Sequence, residues 1–302
     1  MSILVDSSGK TIPLSVNYFP HRKCNYACKF CFHTDKSSIT LPLEKAKHGL
    51  SLLHDAGMKK INISGGEPFL NPKFLGEIIK FCKDDFGLES TGIICNGSKV
   101  TLAWLDRYGD YLDILGVSCD SFDDDTNLRI GRSDKGFGIH KRKVFQVAEW
   151  CRDKGIMFKM NTVVSRYNWA EDMNEEVAEI APFRWKVFQV LLLEGENKGP
   201  DALRDATDLV VTKEEFQSFL DRHASQKCLV PENNDAMENS YLLLDEEMRF
   251  LNCTGGKKMP GRSILDVGVQ VALQDAGWET ETFIDRGGIF EWKRPRPEEF
   301  AW

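Results

Sequence analysis

No stretch of this 302-residue chain approaches 18 uninterrupted apolar residues, and its start, MSILVDSSGKTIPLSVNYF, carries neither a basic leader nor a long apolar run. An integral membrane segment and a cleaved secretory signal are therefore not expected, and the chain reads as cytoplasmic. Positive charge is in deficit too. Against 46 Asp and Glu stand 39 Lys and Arg, a formal net charge of -7, which argues against direct nucleic-acid binding and makes any inward-facing cluster of Lys and Arg more informative. Low-complexity tracts and internal repeats are missing. No GKS or GKT follows a glycine-rich loop, and Gly131, Gly136 and Gly138 in RIGRSDKGFG match neither a P-loop nor a dinucleotide fingerprint. The nine cysteines are odd in number and three are closely set, so a secreted disulfide framework is not expected and a reducing compartment fits better.

What is present begins with those three. Cys24, Cys28 and Cys31 stand in a C-x3-C-x2-C run, CNYACKFCFH. Three thiolates at this spacing hold three irons of a [4Fe-4S] cube and leave the fourth iron without a protein ligand, open for chemistry. A zinc half-site or three buried thiols is the competing reading. Phe30 and Phe32 interleave the last two ligands, to shield the cube or simply to pack. The other six cysteines form no second cluster spacing and read as small buried hydrophobes, with Cys253 set beside a glycine turn in FLNCTGG.

Short hydrophobic strands alternate with longer amphipathic runs to about residue 224. Strands are expected at Ile12-Asn17, Lys60-Ser64, Thr91-Cys95, Asp113-Ser118, Ile156-Val163 and Trp185-Leu192. Helices are expected at Leu43-Ala56, Phe74-Asp85, Leu102-Tyr108, Lys141-Lys154, Met173-Ile180 and Lys213-His223. Thr40 is a cap candidate for the first helix. Six such units predict an α/β fold, a partial (βα)6 barrel over residues 1–224 with its chemistry at the strands' carboxyl ends. Residues 225–302 read as a C-terminal α+β extension covering the substrate pocket. In it NNDAMENS is loop-like, SYLLLDEEMRFLNC a hairpin, SILDVGVQVALQDAG the start of a short helical segment, and RPRPEEFAW an irregular tail.

Gly65-Gly66-Glu67-Pro68 follows the second strand. Its glycines permit unusual backbone angles and close ligand approach, and its carbonyls or Glu67 offer acceptors to an ammonium group. Ser118 ends the fourth strand, and Asn96 belongs to an Asn-Gly pair that is either a turn or a ligand contact. Lys159 and Asn161 share one face of the fifth strand, Arg184 and Lys186 open the sixth, and Lys60 introduces the second. A lysine in the middle of an apolar strand is costly without an anion, so these converging cations read as a cradle for a di- or triphosphate.

The cysteine run, followed one β–α unit later by GGEP, resembles the radical S-adenosylmethionine (SAM) superfamily. Longer runs resemble one subgroup, the viperin family of radical-SAM nucleotide dehydratases: SVNY at Ser15-Tyr18, KINISGGEPFL at Lys60-Leu70, YLDILGVSCDSFD at Tyr111-Asp123, RWKVFQVLLLEGEN at Arg184-Asn197 and SYLLLDEEMRFLNCTGG at Ser240-Gly256. The resemblance implies a [4Fe-4S] cluster on Cys24, Cys28 and Cys31 and SAM as cofactor. SAM would be cleaved by one electron from an external donor to give a 5′-deoxyadenosyl radical. Gly65, Gly66 and Glu67 would receive the methionine amine, and Ser118, Asn161 and Asn96 would line the SAM site. It further implies removal of hydrogen from C4′ of CTP and loss of the 3′-hydroxyl, giving the chain terminator 3′-deoxy-3′,4′-didehydro-CTP; some relatives take UTP or GTP. Residues matching Lys60, Lys159, Arg184 and Lys186 contact the triphosphate there, Asn17 the nucleotide, and Tyr241 is the expected reductant of the radical intermediate. Animal members begin with a membrane-attaching amphipathic helix, whereas 23 residues precede Cys24 here, so that attachment is not carried over. Trp302 resembles the terminal tryptophan that recruits cytosolic iron-sulfur assembly factors, although Phe300-Ala301 replaces the acidic residue before it.

Overall fold

A computed structural model describes residues 4–134 and 140–289; Gly136, Gly138, the RPRPEEFAW tail and Trp302 lie outside the described residues. Strands and helices alternate in the first part of the chain: β1 (Ser15–Tyr18), α1 (Leu43–Asp55), β2 (Lys60–Ile63), α2 (Pro72–Asp84), β3 (Ser90–Cys95), α3 (Leu102–Tyr108), β4 (Ile114–Ser118), α4 (Asp124–Ile130), α5 (His140–Asp153), β5 (Met157–Val164), α6 (Asn174–Ile180), β6 (Arg184–Gln189) and α7 (Lys213–Arg222). Beyond them come β7 (Leu229–Glu232), α8 (Asn234–Met237), β8 (Leu242–Leu244), β9 (Arg249–Asn252), β10 (Met259–Ser263), α9 (Ile264–Val267), α10 (Val269–Leu273) and α11 (Thr280–Asp285).

The ten strands form one sheet in the order β10-β9-β8-β1-β2-β3-β4-β5-β6-β7. Strands β1 to β7 run parallel to their neighbours, each joined to the next by a crossover that carries a helix. The sheet is two parallel strands longer than the six expected, because Leu229–Glu232 pairs with β6 and Leu242–Leu244 with β1. The expected hairpin forms as β8 and β9, and β8 lies parallel to β1 on the opposite side of the sheet. Chain beyond residue 224 therefore reaches both edges of the barrel.

Local chemistry explains most of the boundaries. Asn71 caps α2 with Pro72 in its first turn, Thr101 caps α3, and Thr212 with Glu215 closes a capping box on α7. Thr40 is not the cap of α1, which starts after Pro42 without a side-chain cap. Two short helices replace expected loops: α4, capped by Asp123, and the single turn α8, capped by Asn233 inside NNDAMENS. Each has too few apolar residues for a 3.6-residue period to show. Strand β5 alternates between half-buried and buried, with Phe158, Met160, Thr162 and Val164 under the helices and Lys159 and Asn161 on the inner face.

Candidate active site

The loop that follows β1 is irregular, and its backbone is fastened on two sides. Gly66 and Glu67 donate N–H bonds to the carbonyls of His21 (3.0 Å) and Lys23 (2.8 Å), while Ala27 and Lys29 donate to Gly131 (3.2 Å) and Ile130 (2.9 Å) at the end of α4. Neither flank tolerates a side chain. A Cβ on Gly66 would lie 1.9 Å from the Lys23 carbonyl oxygen, and one on Gly131, where φ is +79°, 2.3 Å from that of Ala27.

Side chains from distant segments complete the fastening. Glu196 accepts Arg22 at 2.9 Å, Lys258 at 2.7 Å, and both the N–H and the hydroxyl of Thr34 at 2.8 and 2.6 Å. Arg22 also meets Glu246 at 3.0 Å, and Lys258 donates to the Phe32 carbonyl at 2.6 Å. Burial pushes the Glu196 carboxyl up, but Lys258 and Thr34 outweigh it and hold it at about 2. Sequence alone did not reveal this set, because no motif links Arg22 to residues more than 170 positions away.

On this loop Cys24 is exposed and Cys28 and Cys31 half-buried, and all nine cysteines are free thiols. Three thiols on one loop are a donor set suited to an iron–sulfur cluster. Among the described residues no three Cys, His, Asp or Glu side chains are gathered around a single metal position. Burial raises their pKa values, Cys24 to about 11 and Cys28 to about 12, while the Arg132 charge pulls in the opposite direction. Arg132, equally unforeseen, is 6% exposed, lies 5.6 Å over the Phe30 ring and is paired with Asp120, itself fully buried. Phe30 packs with Ile130, Val190 and Leu209, whereas Phe32 is 40% exposed and lies edge-on to Phe19.

Glu67 is fully buried, and its carboxylate accepts the N–H groups of Phe69 (3.0 Å) and Asn96 (2.7 Å); burial raises its pKa to about 7. It braces the GGEP turn against the end of β3, so the acceptors left for an incoming ammonium are the turn's carbonyls. Asn96 forms the turn expected of an Asn-Gly pair, with Oδ1 on Ser98 N–H at 2.9 Å, and its amide also reaches Asn25 Oδ1 at 3.0 Å and approaches Cys24 Sγ at 4.0 Å. Ser118 and Asn161 are register partners on β4 and β5, and the enclosed Oδ1 of Asn161 has no hydrogen-bond partner in the protein. An orphaned acceptor opposite Ser118, at the carboxyl end of β4, fits a polar cofactor.

His140 ties the cluster loop to β4: Nε2 lies 2.9 Å from the Ser118 carbonyl and Nδ1 3.4 Å from the Tyr26 hydroxyl. Burial, then the Arg132 charge, lowers its pKa to about 3. The folded value is below the ordinary value near 6.5, so the stabilisation is complete above that pH and is lost as pH falls toward 3. His140→Gln keeps a donor for Ser118 and is expected to flatten the acid side of the stability curve in that window. Urea midpoints measured across it check this, and an unchanged slope would refute it. His21, His33 and His223, shifted the same way by burial, remain as contributors.

A second group of residues opens on the inner face of the sheet. Asn17, Lys60, Lys159, Arg184, Lys186 and Tyr241 line one cavity, and Arg286 with Gly287 and Gly288 closes it from beyond α11. Register explains the convergence, since Lys159 pairs with Arg184 and Asn161 with Lys186. Burial, then the neighbouring Lys186 charge, pulls the Lys159 ammonium well below its usual pKa, and burial brings Lys186 down to about 8 despite Glu232 beside it. Arg286 was not foreseen, because RGG after a short helix has no signal apart from its position here. Cys253 lies half-buried at the start of the turn that carries Lys258.

Comparison with known proteins agrees with this geometry. Residues 18–199 match the model of the Radical SAM superfamily. The chain is 52% identical over 284 residues to the S-adenosylmethionine-dependent nucleotide dehydratase RSAD2 of Siniperca chuatsi, covering 93% of this chain and 80% of that protein. It is 37% identical to the S-adenosylmethionine-dependent nucleotide dehydratase of Flammeovirga pacifica, over 95% of this chain and 98% of that one. The fold resembles anSMEcpe with bound AdoMet at a TM-score of 0.66 and 13% identity, covering 90% of this chain and 83% of that one. With three thiols on the loop after β1, the GGEP turn packed on that loop and a basic cavity within the same barrel, the chain belongs to the viperin (RSAD2) family of S-adenosylmethionine-dependent nucleotide dehydratases, radical SAM enzymes that carry a [4Fe-4S] cluster.

Proposed function

We propose that this enzyme dehydrates CTP to 3′-deoxy-3′,4′-didehydro-CTP, beginning with removal of hydrogen from C4′, with UTP and GTP as the alternative substrates. The observation that carries the reading is the cavity in which Lys60, Lys159, Arg184, Lys186 and Arg286 converge with Asn17 and Tyr241. Several cations drawn together in an acidic protein are matched by a triphosphate, with arginine as fork and lysines as compact charges.

In this reading Cys24, Cys28 and Cys31 hold three irons, and the cofactor pair, when bound, supplies a 5′-deoxyadenosyl radical. The carbonyls of Gly65 and Gly66 receive the methionine amine, Arg132 lies at hand for its carboxylate, and Ser118, Asn161 and Asn96 line the SAM site, Glu67 bracing the turn. Lys60, Lys159, Arg184 and Lys186 fix the phosphates, Asn17 orients the ribose, and Tyr241 returns an electron at the end. The C-terminal extension, in its described part from residue 225 to 289, acts as the cover of this pocket. The enzyme would work in the reducing cytoplasm with an external electron donor, and Trp302 is the contact offered to iron-sulfur assembly factors. Among the described residues no helix is long and apolar enough to cross a membrane.

The test is anaerobic turnover of the reduced enzyme with SAM and CTP, UTP or GTP side by side, read by mass spectrometry. A nucleotide lighter by one water is expected, and CTP deuterated at C4′ should pass its label into 5′-deoxyadenosine. If no nucleotide is dehydrated and SAM cleavage stays uncoupled from all three, the reading fails. Neutralising Lys159, Arg184 or Lys186 by Met should weaken the three nucleotides alike, by about 1.5–3 kcal/mol for a charged hydrogen bond. Isotherms showing loss for one base alone would contradict a phosphate role.

A further inference from the structure

Glu232 ends β7, opposite Phe188 of β6, and is only 2% exposed. Both of its oxygens are engaged. Oε1 receives the Lys186 ammonium, and Oε2 accepts the hydrogen bond of the Tyr241 hydroxyl. Lys186 Nζ lies 3.0 Å from the same hydroxyl, and the Arg286 guanidinium stacks 3.7 Å from the centre of the Tyr241 ring. Neutralising Lys186 accounts for one carboxylate oxygen. The other is directed at a phenol proton held between two cations.

We infer that Glu232 is the proton acceptor through which Tyr241 gives an electron to the nucleotide, an inference that rests on the reading of Tyr241 as the terminal reductant. Removing a hydrogen atom from one ribose carbon and hydroxide from its neighbour leaves the nucleotide one electron short of a closed-shell product. Tyr241 supplies that electron. As it does so its O–H bond breaks, the proton passes to Glu232 Oε2, and a neutral phenoxyl faces a neutral carboxylic acid. The departing hydroxide takes a proton from solvent and leaves as water. An external one-electron donor, with the proton returning from Glu232, restores the phenol.

Electrostatics explains why an acceptor is needed at this place. A phenol oxidised without losing its proton becomes a cation, which beside Lys186 and Arg286 in a poorly solvated cavity would be a third like charge. Transfer to Glu232 avoids it. The resting protonation states favour that transfer, since burial and then the Glu232 charge raise the Tyr241 pKa and keep it a phenol, while Lys186 overcomes burial and keeps Glu232 a carboxylate.

The test separates the pair from the reaction. In the full chain before cluster loading, Tyr241 is oxidised by photogenerated tris(bipyridine)ruthenium(III), and the tyrosyl signal is followed after subtraction of the Tyr241→Phe trace. Glu232→Gln is expected to slow oxidation by about a hundredfold or more, the low end of what a positioned base contributes. It should also make the rate pH-dependent, whereas wild type stays flat across neutral pH. Glu232→Asp should recover part of the rate. In the reconstituted enzyme Glu232→Gln should still make 5′-deoxyadenosine but less dehydrated nucleotide per 5′-deoxyadenosine, as should Tyr241→Phe, and the double variant should be no worse than Tyr241→Phe. Equal oxidation rates and pH profiles, or a change in nucleotide affinity with an unchanged product ratio, overturn the inference. If wild type dehydrates no nucleotide, the proposed reaction fails, while the photo-oxidation rates still decide whether Glu232 serves Tyr241.

Discussion

Cys24→Ala, Cys28→Ala and Cys31→Ala are each expected to lose the cluster and with it all SAM cleavage, while most of the barrel stays folded. With three protein thiolates and one open iron, the cube has no spare ligand, so removing one leaves a second iron without protein support. Folding does not share this dependence. The loop is held by backbone bonds to Gly66, Glu67 and the end of α4, and by Glu196 bridging Arg22, Lys258 and Thr34, and none of these contacts uses a thiol. Iron and sulfide analysis after anaerobic reconstitution, with circular-dichroism melts of the same samples, checks both halves. Normal iron content and turnover in all three variants would sink the assignment. Because burial holds Cys24 and Cys28 protonated near neutral pH, loading must release protons, and wild-type reconstitution should quicken as pH rises.

The largest effect on stability is expected from Asp120→Asn. Asp120 is 0% exposed; its Oδ2 pairs with the buried Arg132, its Oδ1 accepts Val163 N–H at 2.9 Å, and its carbonyl accepts Asn168 Nδ2 at 2.6 Å. Asparagine preserves shape and much of the hydrogen bonding but leaves the guanidinium without its counter-charge, a loss of about 3–5 kcal/mol for one partner of a buried pair. Urea unfolding should show the shift. Adding Arg132→Met to Asp120→Asn removes the orphaned charge and should recover much of the loss, a coupling that a double-mutant cycle reads directly. If the double variant is as unstable as the sum of the singles, the pair is not what supports this corner. SAM affinity should not recover with stability, since the guanidinium beside the cluster thiols is gone.

The cluster loop and its neighbouring turn were legible in the residues because their chemistry is local. Three thiols within eight positions define a donor set wherever they sit in a fold, and GGEP after a strand is a turn by its backbone alone. The alternation of strands and helices was equally plain through β6, since long amphipathic helices and strands with one buried face display their periods. Glu67 shows where that reasoning stopped: the residues offered the turn's carbonyls or Glu67 as acceptors, and only the fold shows both oxygens of the buried carboxylate engaged, by Phe69 N–H and Asn96 N–H.

What the sequence by itself determined is therefore a radical-SAM cluster loop, a β–α barrel around it and a set of inward cations on alternating strand positions. Tertiary structure decided which of these groups meet. Arg22 reaches Glu246 across 224 positions and Lys258 reaches Phe32 across 226, while Glu232 and Arg286 join Lys186 and Tyr241 only because β7 and β8 attach to opposite sides of one sheet and the chain after α11 returns over the cavity. Such contacts leave no periodic trace, because pairing charges across a sheet depends on strand order and register, and neither is encoded within any single segment.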